Sequence, residues 1–163
     1  MTGDDDLALR KIRKIGDNIL LKVSKPVENV DDKIRQLLDD MLETMYDVGG
    51  AGLAAVQVGV LRRVAVVDTS EERNNPIELI NPQIISSEDS QEDWEGCLSI
   101  PGQTGLVERP MVTVVQALNR NGREFEHRFE GRAAVCVNHE LDHLDGVLYT
   151  TKAKQIQRDE DSN

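Results

Sequence analysis

The stretch VCVNHELDHLDGVLY, Val135 to Tyr149, constrains the fold of this chain more than any other. His139 and His143 stand four residues apart with Glu140 directly after the first, the HExxH arrangement of a helix-borne metal site. On a helix, residues four apart share a face and lie about 6 Å apart along the axis, so both imidazoles can face one cation. Glu140 is turned about 100° from His139, within reach of water beside that cation without ligating it. Val135, Val137, Leu141, Leu144, Val147 and Leu148 make the segment apolar, so the helix is expected to be buried. Two imidazoles and a carboxylate are costly to bury without partners, and together they call for a metal.

A catalytic site of this kind usually takes three protein ligands, and several residues compete to be the third. Cys136 is three residues before His139 but seven before His143, about 10.5 Å of axial rise. A short side chain with a metal–sulfur bond of about 2.3 Å does not span that, so Cys136 is expected to be a small core residue. His127 falls in phase with Phe125 and Phe129 on a strand and reads as half-buried packing. Tyr149 would complete a metzincin-like HExxHxxGxxH, but the 14 residues beyond it contain no methionine for the downstream turn. Cys97, in WEGCLSIPG, is expected in a Glu-Gly-Cys turn between strands, with Gly96 allowing close backbone approach and Pro101–Gly102 closing the segment. Such a loop can bring a thiolate to a metal held on a helix elsewhere.

Elsewhere the periodicities are plain. From Asp31 to Asp47, apolar residues at Ile34, Leu37, Leu38, Met41, Leu42 and Met45 predict an amphipathic helix that stops at Gly49–Gly50. Strands are predicted at 63–69, 77–84, 111–118 and 123–130, the last two joined by an Asn-Gly hairpin signal in NRNG and the first two by the polar loop SEERNN. The metal-binding helix is predicted over 132–144, stopping near Gly146. These elements indicate an α+β fold: antiparallel or mixed β-sheets packed around a central HExxH helix, with a second, N-terminal amphipathic helix.

At 163 residues the chain suffices for one catalytic domain, 1–163, with residues 1–6 and 153–163 expected to be poorly ordered. With 39% apolar and 3% aromatic residues, the core must rest on Val, Leu, Ile and Ala. A net charge of −11, from 19 Lys+Arg against 30 Asp+Glu, argues against direct nucleic-acid binding or an anionic membrane surface. No apolar run suits a bilayer span and no signal-peptide pattern opens the chain, so a cytoplasmic location with reduced Cys97 and Cys136 is expected.

GAGLAAVQ, Gly50 to Gln57, fits a GxGxxA dinucleotide pattern, but it follows a helix where that fingerprint must follow a strand. The alternative is a glycine loop passing close to the metal helix. Taken with Glu95-Gly96-Cys97-Leu98-Ser99 and His139-Glu140-Leu141-Asp142-His143, it resembles the peptide deformylase family, whose motifs are GxGLAAxQ, EGCLS and HExDH in this order. The resemblance runs from about Ile12 to Tyr149 and includes LINP (Leu79 to Pro82) and SIPG.

The resemblance implies a hydrolase that removes the formyl group from the N-terminal formyl-methionine of new polypeptides. It implies one divalent metal on Cys97, His139 and His143, with Fe(2+) expected physiologically and Zn(2+), Ni(2+) or Co(2+) as alternatives. Glu140 would carry the proton, and the Gln57 side chain and the Leu98 backbone N–H would donate to the tetrahedral oxyanion. Gly50, Gly52, Glu95 and Gly96 would contact substrate. The implied partners are nascent formyl-methionyl polypeptides at the ribosome, although the short acidic tail is unlike the basic C-terminal helix that some members use there. Ala51, Asp93, Arg132, Asn138 and Tyr149 depart from the residues frequent in the family and place side-chain preference in question. The competing functions are a zincin-type metallopeptidase that cuts internal peptide bonds and a non-catalytic metal-binding module.

Overall fold

A computed structural model describes residues 9–159, and the expectation of disorder for 1–6 falls outside them. Eight strands and two α-helices follow in the order α1 (Asp32–Asp47), β1 (Gly52–Ala54), β2 (Val64–Val67), β3 (Ile77–Glu88), β4 (Gln91–Cys97), β5 (Ile100–Arg109), β6 (Val112–Leu118), β7 (Glu124–Glu130), α2 (Arg132–Leu144) and β8 (Gln155–Arg158). Helix α1 begins where the Asp31 carboxylate accepts the Ile34 N–H at 3.1 Å and ends before Gly49, whose φ of 72° continues no helix. Among the described residues, no helix is long and apolar enough to cross a membrane.

Strands β1-β2-β3-β6-β7 form a five-stranded sheet and β4-β5-β8 a second, three-stranded one, with every strand pair antiparallel. Among the described residues the sole parallel feature is an isolated bridge between Lys25 and Arg62, so "mixed" narrows to antiparallel. Val64 and Val66 of β2 meet the apolar face of α1 (Leu37, Leu38, Met41, Met45), while Val67 and Leu79 join Ala134, Val137 and Leu141 of α2. The two helices therefore sandwich the sheet. That is why VAVV reads as a continuous apolar run rather than an alternating one.

Two corrections concern the second sheet. Glu95, Gly96 and Cys97 do not form a turn: they end strand β4, and Leu98–Ser99 turn the chain into β5, where Cys97 pairs with Ile100. Nor is 153–159 disordered. After a 3-10 turn at Tyr149–Thr151, the chain forms β8 on the free edge of β5, with Gln155 opposite Leu106. Gly105 of β5 makes this possible, because a Cβ there would lie 2.7 Å from the Tyr149 ring and 2.9 Å from Ala153.

Candidate metal centre

Helix α2 presents its buried polar stripe to the seam between the two sheets. His139, Glu140 and His143 are all buried. Across the seam, the end of β4 carries Cys97 to within 3.3 Å of His143 Nε2. Ligand atoms of Cys97, His139 and His143 all lie within 4.8 Å of one another, and no other group of three such residues forms among the described residues. Tetrahedral bonds of about 2.0–2.1 Å to nitrogen and 2.3 Å to sulfur set such atoms about 3.5 Å apart, so this donor set fits one divalent cation. Cys136 takes no part: its thiol donates to Ala51 O at 3.3 Å, and burial pushes its pKa well up.

The histidines are held in different ways. His139 Nδ1 sits 2.9 Å from Glu95 Oε1, which fixes the tautomer and leaves Nε2 for the seam. Arg109 grips the same carboxylate with two arms, Nε to Oε2 at 2.7 Å and Nη2 to Oε1 at 2.9 Å, and reaches Asp142 with Nη1 at 2.6 Å. Burial alone would raise the Glu95 pKa, but Arg109 and His139 outweigh it and hold the carboxyl below its usual range. Burial likewise disfavours a charged His139, yet the Cys97 sulfur and Glu95 push its pKa up to about 10. Burial and the neighbouring His139 push His143 down to about 3, so its ring stays neutral, the ligating form. These groups thus converge on a seam suited to positive charge, the place a cation would take, with an open lone pair on His143. Tyr149 stacks against the His139 ring at 6.0 Å.

Glu140 lies against β1. A Cβ on Gly52 would approach Glu140 Oε2 to 2.6 Å and Cys136 Sγ to 2.8 Å, so the glycine is what lets this carboxylate fit. Its Oε1 is buried with no protein partner, and burial pushes the Glu140 pKa up to about 7, a shift that a bound cation opposes. Gln57, in a 3-10 turn after β1, accepts the Ala54 N–H on Oε1 at 2.9 Å. That anchors the amide with Nε2 turned inward, 3.0 Å from Ser99 Oγ and 3.8 Å from Cys97 Sγ. Gly50, Gly52, Gln57, Glu95, Gly96, Cys97, Leu98, His139 and Glu140 all line one cavity of about 500 Å³, with Asp93 and Arg132 at its wall.

Two of the residues expected to contact substrate change character. Both Glu95 oxygens are engaged by Arg109 and His139, so its carboxylate orients a ligand rather than meeting substrate. Gly96 has room for a side chain, its nearest neighbour being Thr104 Cγ2 at 3.8 Å, so close approach belongs to Gly52 and to Gly50, where a Cβ would meet Leu98 Cδ1 at 2.8 Å. Arg109 and Ser99 were not singled out from sequence. Ser99 stands inside EGCLS and was in view, whereas a lone arginine at a strand end gives no local signal.

Comparison with known proteins places the chain in a family. The family model described as polypeptide deformylase matches residues 9–159. A peptide deformylase of Lachnoclostridium phytofermentans is 55% identical over 90% of both chains, and one of Acetivibrio thermocellus is 52% identical over 94% of this chain and 89% of its own. The crystal structure of a peptide deformylase from Legionella pneumophila superposes with a TM-score of 0.86 at 42% identity, covering 90% of this chain and 86% of that one. One from Synechococcus elongatus in complex with actinonin gives 0.85 at 40%, covering 90% and 79%. With three motifs meeting at one seam and relatives matched along nearly their whole length, the chain belongs to the polypeptide deformylase family.

Proposed function

We propose that Cys97, His139 and His143 hold one divalent cation, and that Glu140, Gln57 and the Leu98 N–H carry the hydrolysis around it. The observation that carries this is the 3.3 Å approach of Cys97 Sγ, at the end of β4, to His143 Nε2 on α2, 46 residues apart in sequence. As a peptide deformylase, the protein removes the formyl group from the N-terminus of newly made polypeptides and releases formate. When bound, the cation supplies a Lewis acid that acidifies water and polarises the formyl oxygen.

The protein's own groups do the rest. Glu140 takes the proton from the attacking water and delivers it to the departing amine nitrogen, the task of a buried carboxylate with a free oxygen at the site. Gln57 Nε2, fixed through its own carbonyl, and the Leu98 N–H donate to the oxyanion as charge develops on it. Gly50 and Gly52 offer bare backbone to the peptide, and Gly96 lines its path. The pocket wall at Ala51, Asp93 and Arg132 sets side-chain preference. Fe(2+) is our assignment for the ion in the cell, and one thiolate with two imidazoles also accepts Zn(2+), Ni(2+) and Co(2+). The proposal further treats the chain as one catalytic domain that meets nascent formyl-methionyl chains in the cytoplasm, at the ribosome.

The test is to load the protein with Fe(II) without oxygen and follow a formyl-methionyl peptide together with its unformylated twin. The expected result is formate release from the first and no cleavage of the second. Internal cleavage without formate would instead support the zincin alternative.

A further inference from the structure

The polar loop between β2 and β3 holds a knot that the reaction as described does not use. Asp68, buried at the end of β2, accepts the Ser70 N–H at 2.9 Å, the Ser70 hydroxyl at 2.5 Å, the Asn75 N–H at 3.1 Å and the Tyr46 hydroxyl at 2.5 Å. Arg73 lies over the Tyr46 ring, 5.3 Å from its centre. From there its guanidinium bridges two carbonyls: Nη1 donates to Asp68 O at 3.2 Å, and Nη2 makes a short hydrogen bond to Gly50 O. Arg73 achieves this with φ at 59°, a conformation costly for a residue with a side chain. Strain and a buried carboxylate are a large outlay for a surface connection. What they secure is the Gly50 carbonyl.

Gly50 opens the segment that forms one wall of the site. Its N–H donates to Met45 O at 2.9 Å, and Asp68 N–H donates to Ala51 O at 2.8 Å, so the next peptide is pinned from the same loop. On its other side, Gly50 supports the Leu98 side chain at a distance no Cβ would permit. Arg73 therefore sets the plane of the Gly50–Ala51 peptide on the cavity wall assigned to substrate. We infer that Arg73 is a positioning residue, a clamp outside the cavity that holds the Gly50–Gly52 segment in register for the formyl peptide. This rests on the assignment of Gly50 and Gly52 to substrate.

The test compares Arg73→Gln and Arg73→Lys with Ser70→Ala, which loosens the knot but leaves the bond to Gly50. Loss of a charge-assisted hydrogen bond predicts a KM about tenfold higher in Arg73→Gln, with kcat within about twofold. Arg73→Lys, which keeps the charge but not the fork, should fall between, and it carries the test should Arg73→Gln not fold. Ser70→Ala should lower Tm and leave KM unchanged. Amide exchange at Ala51 and Gly52 should speed up in Arg73→Gln and not in Ser70→Ala. Unchanged KM and exchange in Arg73→Gln, or the same KM rise in Ser70→Ala, would overturn the clamp while leaving the activity standing. Wild-type protein that releases no formate would overturn the assignment of the site, and the clamp with it.

Discussion

Helix α1 lays Leu37, Leu38, Met41 and Met45 on one face of the five-stranded sheet, while α2 lays Ala134, Val137 and Leu141 on the other. As packing units the two are alike. They differ in how each treats the polar groups it buries. On α1, Asp40 accepts from Gln36 one turn earlier at 2.8 Å and is met by Arg10 at 2.8 Å, while Thr44 accepts the Arg10 N–H. On α2, His139 depends on Glu95, Glu95 on Arg109, and His143 faces Cys97, all from the second sheet. A helix whose buried polar groups all find protein partners is a structural part. One whose partners come from a different sheet, and which still leaves Glu140 Oε1 and His143 Nδ1 without any, is set up for chemistry.

Substitutions can break or sharpen that contrast. The largest effect is expected at Glu140: Glu140→Ala should lower kcat by about 10²–10⁴-fold, the usual worth of a positioned acid–base group, with Tm unchanged or raised as a buried carboxyl is removed. Arg109→Lys keeps the charge beneath Glu95 but loses the two-armed grip, and metal affinity by competition with a chelator should fall by about 10–100-fold. On α1 the response should be of the opposite kind. Met41→Ala should cost about 2–5 kcal/mol in denaturant unfolding and leave kcat of the folded protein unaltered. A change in kcat there, or none in stability, would dissolve the distinction between the helices.

The smallest effect concerns pH. Burial would raise the Asp68 pKa, but hydrogen bonds from Ser70, Tyr46 and the Ser70 and Asn75 N–H groups lower it below the reference of 3.8. A carboxyl with a depressed folded pKa contributes fully above its unfolded value, and the contribution fades as pH falls through the folded one. Asp68→Asn should therefore flatten the decline of Tm below about pH 4.

Much of the first sheet and both helices were legible because burial there is local and periodic. The 3.6-residue spacing gave α1 to within one residue, and α2 runs over the 132–144 predicted for it. The second sheet was not legible. QEDWEGC is mostly exposed, and IPGQTGLVER carries a proline and two glycines, so neither alternates in a way that marks a strand. Their pairing is decided by each other and by β8, far away in sequence. The same holds for the site. Glu140 and the two histidines declare themselves through spacing on one helix, whereas Cys97 became readable only beside the other two motifs. Arg109 and Arg73 act through contacts that span 14 and 23 residues, for which no spacing rule exists.

The central claim is that a thiolate from the second sheet completes the site begun by the helix. Metal content after loading and desalting tests it most directly, with wild type, Cys97→Ser and Cys136→Ser measured side by side. The account predicts about one ion per chain in wild type and Cys136→Ser and loss of most of it in Cys97→Ser. Full retention in Cys97→Ser, or loss in Cys136→Ser alone, would contradict it.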